Sequence, residues 1–228
     1  MRIVLALLAV LPLFGQDASL TGGLTDVAGA YIAGVPVEMD SGTSQYQVRT
    51  NERGVYRFSN LNAGVYTLTF RVIGFRLLTV KLIEIREHEQ KQLPDFPLEV
   101  KDFLCPRSEP QDRVLLPSAS SVGTLTGSVT PAIANVEVTL VCRTFSPCGS
   151  TKTDSNGRFS FEMLSSGFYG LNFRREGFYL ENATGYEYTV TAGWESVYSP
   201  KLLERCTKGD CDPKLRSKPP ITECGVTL

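Results

Sequence analysis

The side chains able to do chemistry in this chain are few and scattered. The single histidine, His88, lies in the charged stretch EIREHEQKQ. A Ser–His–Asp relay needs a histidine base, and a cysteine nucleophile needs one beside a reduced thiol. Both would have to be built on His88, and no G-x-S-x-G elbow occurs. The six cysteines are Cys105, Cys142, Cys148, Cys206, Cys211 and Cys224. An even count in an exported chain reads as disulfides, and six thiols allow fifteen pairings. Cys142 and Cys148 flank a short turn and could clip a hairpin. Zinc is the rival reading. The gaps in this set contain no CxxC pair, and His88 is far off in sequence, so the spacing does not fit a zinc ligand set.

Three other groupings carry a chemical reading. KTDSNGRF resembles a calcium loop. If Gly157 were that loop's invariant glycine, Lys152 and Met163 would occupy ligand positions that neither can serve. A β-turn explains Asp154, Asn156 and Gly157 instead. Glu84, Glu87 and Glu89 stand among Arg86, His88 and Lys91, which makes a mixed-charge surface. The sole tryptophan, Trp194, follows Gly193 and lies near Tyr186, Tyr188 and Tyr198. Aromatic faces on a loop can stack on sugar rings, so Trp194 and Tyr186 are the candidate ligand-binding residues. No catalytic, cofactor-binding or metal-binding residue is assigned. The chain is read as a non-enzyme without a cofactor.

The elements that would position such groups are written twice. TNERGVYRFSNLNAGVYTLTFRVIGF starts at Thr50, and TDSNGRFSFEMLSSGFYGLNFRREGF starts at Thr153. Gly54, Leu61, Gly64, Tyr66 and Gly74-Phe75 map onto Gly157, Leu164, Gly167, Tyr169 and Gly177-Phe178, each pair 103 residues apart. A register held this long marks an internal duplication. Within each copy the apolar period is two. Tyr56, Phe58, Tyr66, Leu68 and Phe70 alternate with polar residues, as do Phe159, Phe161, Tyr169, Leu171 and Phe173, the pattern of half-buried strands. Gly54 and Gly157 suit positive φ in a tight turn. Leu61 and Leu164 would plug the core end, and Gly64 and Gly167 would separate that corner from the next strand. Tyr66 and Tyr169 are placed to form a tyrosine corner, with the hydroxyl reaching back to an upstream backbone group.

Flanking segments add strands on both sides of each copy. The pattern predicts an all-β chain of two tandem seven-stranded Greek-key β-sandwiches. The expected organisation is a signal peptide over residues 1–18, sandwiches over 19–101 and 123–205, a Pro/Ser-rich linker over 102–122 and an extended cysteine-containing tail over 206–228. The leader reading rests on Arg2 and the twelve-residue apolar run Ile3 to Phe14, with small residues Gly15 and Ala18 near a cleavage point. That run is too short to span a bilayer. A net charge of −1 over 228 residues leaves no electrostatic footprint for nucleic acid.

The repeated G-x-Y-x-F-x-x-L-x-x-G-x-Y-x-L-x-F followed by G-F resembles the carboxypeptidase regulatory-like domain. This is a transthyretin-like (prealbumin-like) β-sandwich related to the Cna-B domains. The resemblance implies fold and says nothing of peptidase activity. Many Cna-B domains carry a Lys–Asn isopeptide bond assisted by an acidic residue. At the comparable positions this chain has Phe70 and Phe173, so no such bond is expected. The resulting reading is an exported, non-catalytic protein, secreted or in the periplasm or cell envelope. It would have a structural or protein-interaction role, with a protein or an envelope polysaccharide as partner. It would bind no nucleic acid and have no membrane span once the leader is removed. The alternatives are a carbohydrate-binding module using Trp194 and an accessory subunit of a secreted or outer-membrane assembly.

Overall fold

The computed structural model of the chain describes residues 18–100, 112–142, 146–178, 188–203 and 205–206. The expected leader up to residue 17, the tail from 207, and Cys105, Cys211, Cys224 and Tyr186 lie outside the described residues. Those described form strands and no helix. In chain order they are β1 (Ala18–Asp26), β2 (Pro36–Asp40), β3 (Gln45–Arg49), β4 (Val55–Leu61), β5 (Gly64–Phe70), β6 (Leu78–Ile85), β7 (Gln90–Gln92), β8 (Phe96–Leu98) and β9 (Arg113–Pro117). There follow β10 (Gly123–Thr130), β11 (Glu137–Cys142), β12 (Ser146–Lys152), β13 (Arg158–Leu164), β14 (Gly167–Arg174), β15 (Tyr188–Val190), β16 (Trp194–Tyr198) and β17 (Lys201–Leu202).

Strands β10 to β17 repeat β1 to β8. In the first sandwich β4-β1-β7, with β8 also on β1, faces β3-β2-β5-β6. In the second, β13-β10-β16, with β17 on β10, faces β12-β11-β14-β15. The chain passes between sheets in Greek-key fashion. The seventh strand of each copy divides into two short pieces, so each sandwich has eight named strands. Within the span expected to be a linker, Arg113–Pro117 is a strand. It pairs in parallel with β6 and antiparallel with β16. One sheet therefore runs through both sandwiches, in the order β13-β10-β16-β9-β6-β5-β2-β3.

The alternation in sequence becomes the two faces of each sheet. In β5, Tyr66, Leu68 and Phe70 are buried while Val65 is exposed. Burying a side chain of this size contributes about 1.5–3 kcal/mol, which makes this face the main driver of closure. The repeat also reproduces its fine structure. Gly54 and Gly157 have φ of 68° and 72°. Asn51 Oδ1 accepts from the amides of Arg53 and Val55, and Asp154 Oδ1 from those of Asn156 and Arg158. The acidic and amide residues of DSNG and NERG thus cap turns.

Each corner has the same build. Asn60 and Met163 take φ of 58° and 57°, and the β1–β4 and β10–β13 ladders shift register beside them. Leu61 is buried at the core end, and Leu164 is half-buried against the second core. Tyr66 Oη donates to Asn62 O at 2.8 Å, and Tyr169 Oη to Ser165 O at 2.9 Å. Gly64 and Gly167 do not separate corner from strand; they are the first paired residues of β5 and β14. The glycines that sterics demand are elsewhere. A Cβ on Gly22 would lie 2.3 Å from Tyr56 Oη, and one on Gly127 would lie 2.6 Å from Phe159 Cζ. Each glycine lets an aromatic ring from the neighbouring strand lie across its backbone.

Tyr56 and Phe159 are equivalent but not equal. Tyr56 Oη is buried with no hydrogen-bond partner, a burden of about 1–3 kcal/mol. Tyr56→Phe, which copies the second sandwich, is expected to raise the melting temperature. Tyr66→Phe and Tyr169→Phe are each expected to lower stability by about 1 kcal/mol, the net worth of one hydrogen bond. Thermal melts of the three variants check both signs.

Candidate functional site

Among the described residues the candidate chemistry is not gathered at one place. His88 sits in the turn between β6 and β7 with φ of 60°. The carboxylates around it serve local structure: Glu89 Oε2 accepts from the Arg86 amide at 2.8 Å, and Glu89 Oε1 meets Lys91 Nζ at 3.2 Å. The Arg86 amide is the main cause holding the Glu89 pKa below the usual carboxylate range. Among the described residues no group of three or more His, Cys, Asp and Glu side chains is placed to hold a metal ion. Cys142 and Cys148 are bonded to each other and clip the β11–β12 hairpin. Cys206 is disulfide-bonded as well. The buried polar side chains among the described residues include no lysine and no asparagine. Phe70 and Phe173 fill the two cores.

Trp194 occupies a different place from the loop platform considered above. It opens β16, is 8 % exposed, and packs against the core of the first sandwich. Its ring stands edge-on to Phe96 at 5.6 Å, a geometry worth about 0.5–1.5 kcal/mol beyond area burial. The indole is an inter-sandwich contact and presents no open face to a sugar. Tyr186, its proposed companion, lies outside the described residues.

The polar chemistry of the structure is concentrated at this same junction. Glu99, just after β8, is 6 % exposed. Its Oε1 lies 3.3 Å from Arg113 Nη1, and its Oε2 lies 3.4 Å from Arg76 Nη1. Tyr198 Oη donates to Glu99 Oε1 at 2.6 Å, and the Thr189 amide donates to the same oxygen at 3.0 Å. Arg113, 2 % exposed, also donates to backbone. Nη2 reaches Pro97 O at 2.7 Å, and Nη1 reaches Thr189 O at 3.4 Å. Arg76 and Glu99 belong to the first sandwich, Arg113 to β9, and Thr189 and Tyr198 to the second. Burial, followed by the nearby Glu99 charge, pushes the Tyr198 phenol well above its ordinary pKa.

Strand β9 places these groups. Arg113 stands opposite Leu78 in β6 and opposite Tyr198 in β16. Its amide donates to Leu77 O at 3.0 Å, and the Ser199 amide donates to Asp112 O at 3.1 Å. Leu115, two residues on, is wholly buried in the first core. The alternation Arg113, Leu115 facing inward is the sequence signal that reveals the strand. The prolines and serines around it make the segment look like linker. Glu99 leaves no comparable trace, because PLEVK alone does not show that its carboxylate turns inward.

A family match covers the first sandwich: the model of the carboxypeptidase regulatory-like domain matches residues 19–99. The second sandwich repeats its strands one for one. Serine-aspartate repeat-containing protein D of Staphylococcus aureus (strain Newman) is 27% identical over 165 residues, covering 67% of this chain and 12% of that protein. The chain thus spans only a small part of the curated relatives it matches. Among solved structures, the Bacillus anthracis TIE protein aligns with 82% of this chain and 34% of its own, at 16% identity and a TM-score of 0.32. A putative carbohydrate binding protein from Bacteroides uniformis aligns with 84% of this chain and 100% of its own, at 14% identity and a TM-score of 0.31. The minor pilin of Streptococcus agalactiae covers 84% and 98%, at 14% identity and 0.29.

Removing one partner of a buried ion pair leaves the other charge uncompensated, at a cost of about 3–5 kcal/mol. Arg113→Met and Glu99→Ala are therefore expected to destabilise the chain by about that much in urea unfolding. Tyr198 has a folded pKa above its unfolded value of about 10, so its contribution is complete below about pH 10 and lost as pH rises through the folded value. Tyr198→Phe is expected to flatten this alkaline loss, read as stability against pH.

Proposed function

We propose that the chain is an exported, non-catalytic spacer or scaffold of two β-sandwiches locked into one stiff unit. It would act at the cell envelope, where it holds a protein or polysaccharide partner at a set distance. The observation that carries this reading is the junction. A strand shared by both sandwiches and a buried Glu99–Arg113–Tyr198 cluster fix one inter-sandwich geometry, which an independent pair of binding modules on a flexible tether would not need. The apolar N-terminal run and the Cys142–Cys148 bond support export. A carbohydrate-binding role at Trp194 would need the indole to leave Phe96. A role as accessory subunit of a larger assembly is compatible with the same stiff unit and differs only in the partner.

Three measurements test the reading. Small-angle scattering of the mature chain is expected to fit one rigid arrangement of the sandwiches, and Arg113→Met is expected to loosen it. A wild-type profile that demands many inter-sandwich angles would overturn the spacer reading. Cell fractionation is expected to find the chain outside the cytoplasm with its leader removed; retention inside with an intact N-terminus would overturn export. Trp194 fluorescence is expected to be blue and unmoved by soluble polysaccharides. A saturable shift would instead establish the carbohydrate reading.

A further inference from the structure

Edge strands expose unpaired backbone donors and acceptors, and proteins blunt them with bulges, charge or covalent clips. Four described edge strands have five or more residues: β3, β4, β12 and β13. The ladders of β4, β12 and β13 with their neighbours all shift register. That of β3 does not: Pro36 to Asp40 pairs with Arg49 to Gln45 without interruption. The contrast is sharpest within the duplication. The counterpart of Gln45-Tyr46-Gln47-Val48-Arg49 is Cys148-Gly149-Ser150-Thr151-Lys152, with a bulge and the disulfide to Cys142. The second sandwich closes this edge and the first leaves it open.

We propose that the outer edge of β3 pairs with β3 of a second copy of this chain, in antiparallel register about a two-fold axis at Gln47. The backbone direction sets the register. The Ser41 amide donates to Ser44 O and the Thr50 amide to Val35 O. Alternation from those two bonds turns the amides and carbonyls of Tyr46 and Val48 toward β2 and those of Gln45, Gln47 and Arg49 outward. Outward residues of two copies meet as Gln47 with Gln47 and Gln45 with Arg49, each a hydrogen-bonded pair.

The side chains fit the same register. On the core side, half-buried Tyr46 and Val48 each meet the other type across the axis, an aromatic and β-branched match that favours pairing. On the solvent side, Arg49 of one copy comes beside Gln45 of the other, whose Nε2 binds Asp40 Oδ2 at 3.1 Å. Arg49 commits Nη1 to Gly34 O at 2.7 Å and has further donors to offer. The guanidinium thus approaches the Asp40 carboxylate of the second copy, and no like charges oppose each other. The amide of Gly42 and the Gln45 side chain hold the Asp40 pKa below the usual carboxylate range. The pairing would extend the shared sheet across two molecules.

Sedimentation velocity of the mature full chain over a micromolar to millimolar series tests this. A concentration-dependent dimer is expected. Gln47→Pro removes an outward amide and spares the bonds to β2, so it is expected to leave a monomer with a near-wild-type melting temperature. If that variant fails to fold, Arg49→Glu serves in its place: it sets like charges opposite Asp40 and is expected to weaken association at least tenfold, with recovery at high salt. A wild-type chain that stays monomeric throughout the series would overturn the proposal. So would a dimer that the folded variants leave unchanged.

Discussion

Burial of the Glu99 carboxylate is the constraint to which the rest of the structure answers. An ionised carboxyl taken out of water costs several kcal/mol unless charge and hydrogen bonds replace the lost solvent. Here two guanidinium groups, a phenol and a backbone amide replace it. Those four partners come from both sandwiches and from the strand between them. Arg76 meets it within the first sandwich, but Tyr198 and the Thr189 amide reach it only when the sandwiches sit in this one orientation. Apolar packing of Trp194 on Phe96 adds adhesion, and the carboxylate adds selectivity of geometry.

Duplication explains why this constraint could be added. Each copy already has what it needs to fold: a capped turn, a tyrosine corner and a core of alternating aromatics. The equivalent positions are then free to diverge. Tyr56 keeps a hydroxyl for which Phe159 has no counterpart. Lys91 pairs with Glu89 on the first copy's surface, while its counterpart by strand register, Ser196, is wholly buried beside β9. Divergence of β7 from β16 is what turns a free edge into half of the junction.

Much of each sandwich is legible in the sequence because its determinants are local. Period-two alternation marks β4, β5, β13 and β14, and the L-x-x-G-x-Y spacing marks the corners. The junction is not legible in the same way. Gln90-Lys91-Gln92 is polar throughout, and it is a strand only because β1 offers a neighbour. Arg113 reads as a linker charge until a buried carboxylate on another element faces it. Trp194 after a glycine looks like a loop aromatic, and only the packing of one sandwich on the other shows that it is covered. These are properties of pairs of distant residues, and one sequence shows only one member at a time.

The parallel pairing of β1 with β7 and β8 has a mechanical meaning. Tension applied along the chain pulls the start of β1 one way and the end of β8 the other. Parallel neighbours so loaded slide past each other lengthwise, and their hydrogen bonds share the load instead of opening one by one. Strand β10 with β16 and β17 repeats the arrangement. Both sandwiches are therefore loaded in shear, the direction in which a sheet resists longest, when the chain is stretched between its ends.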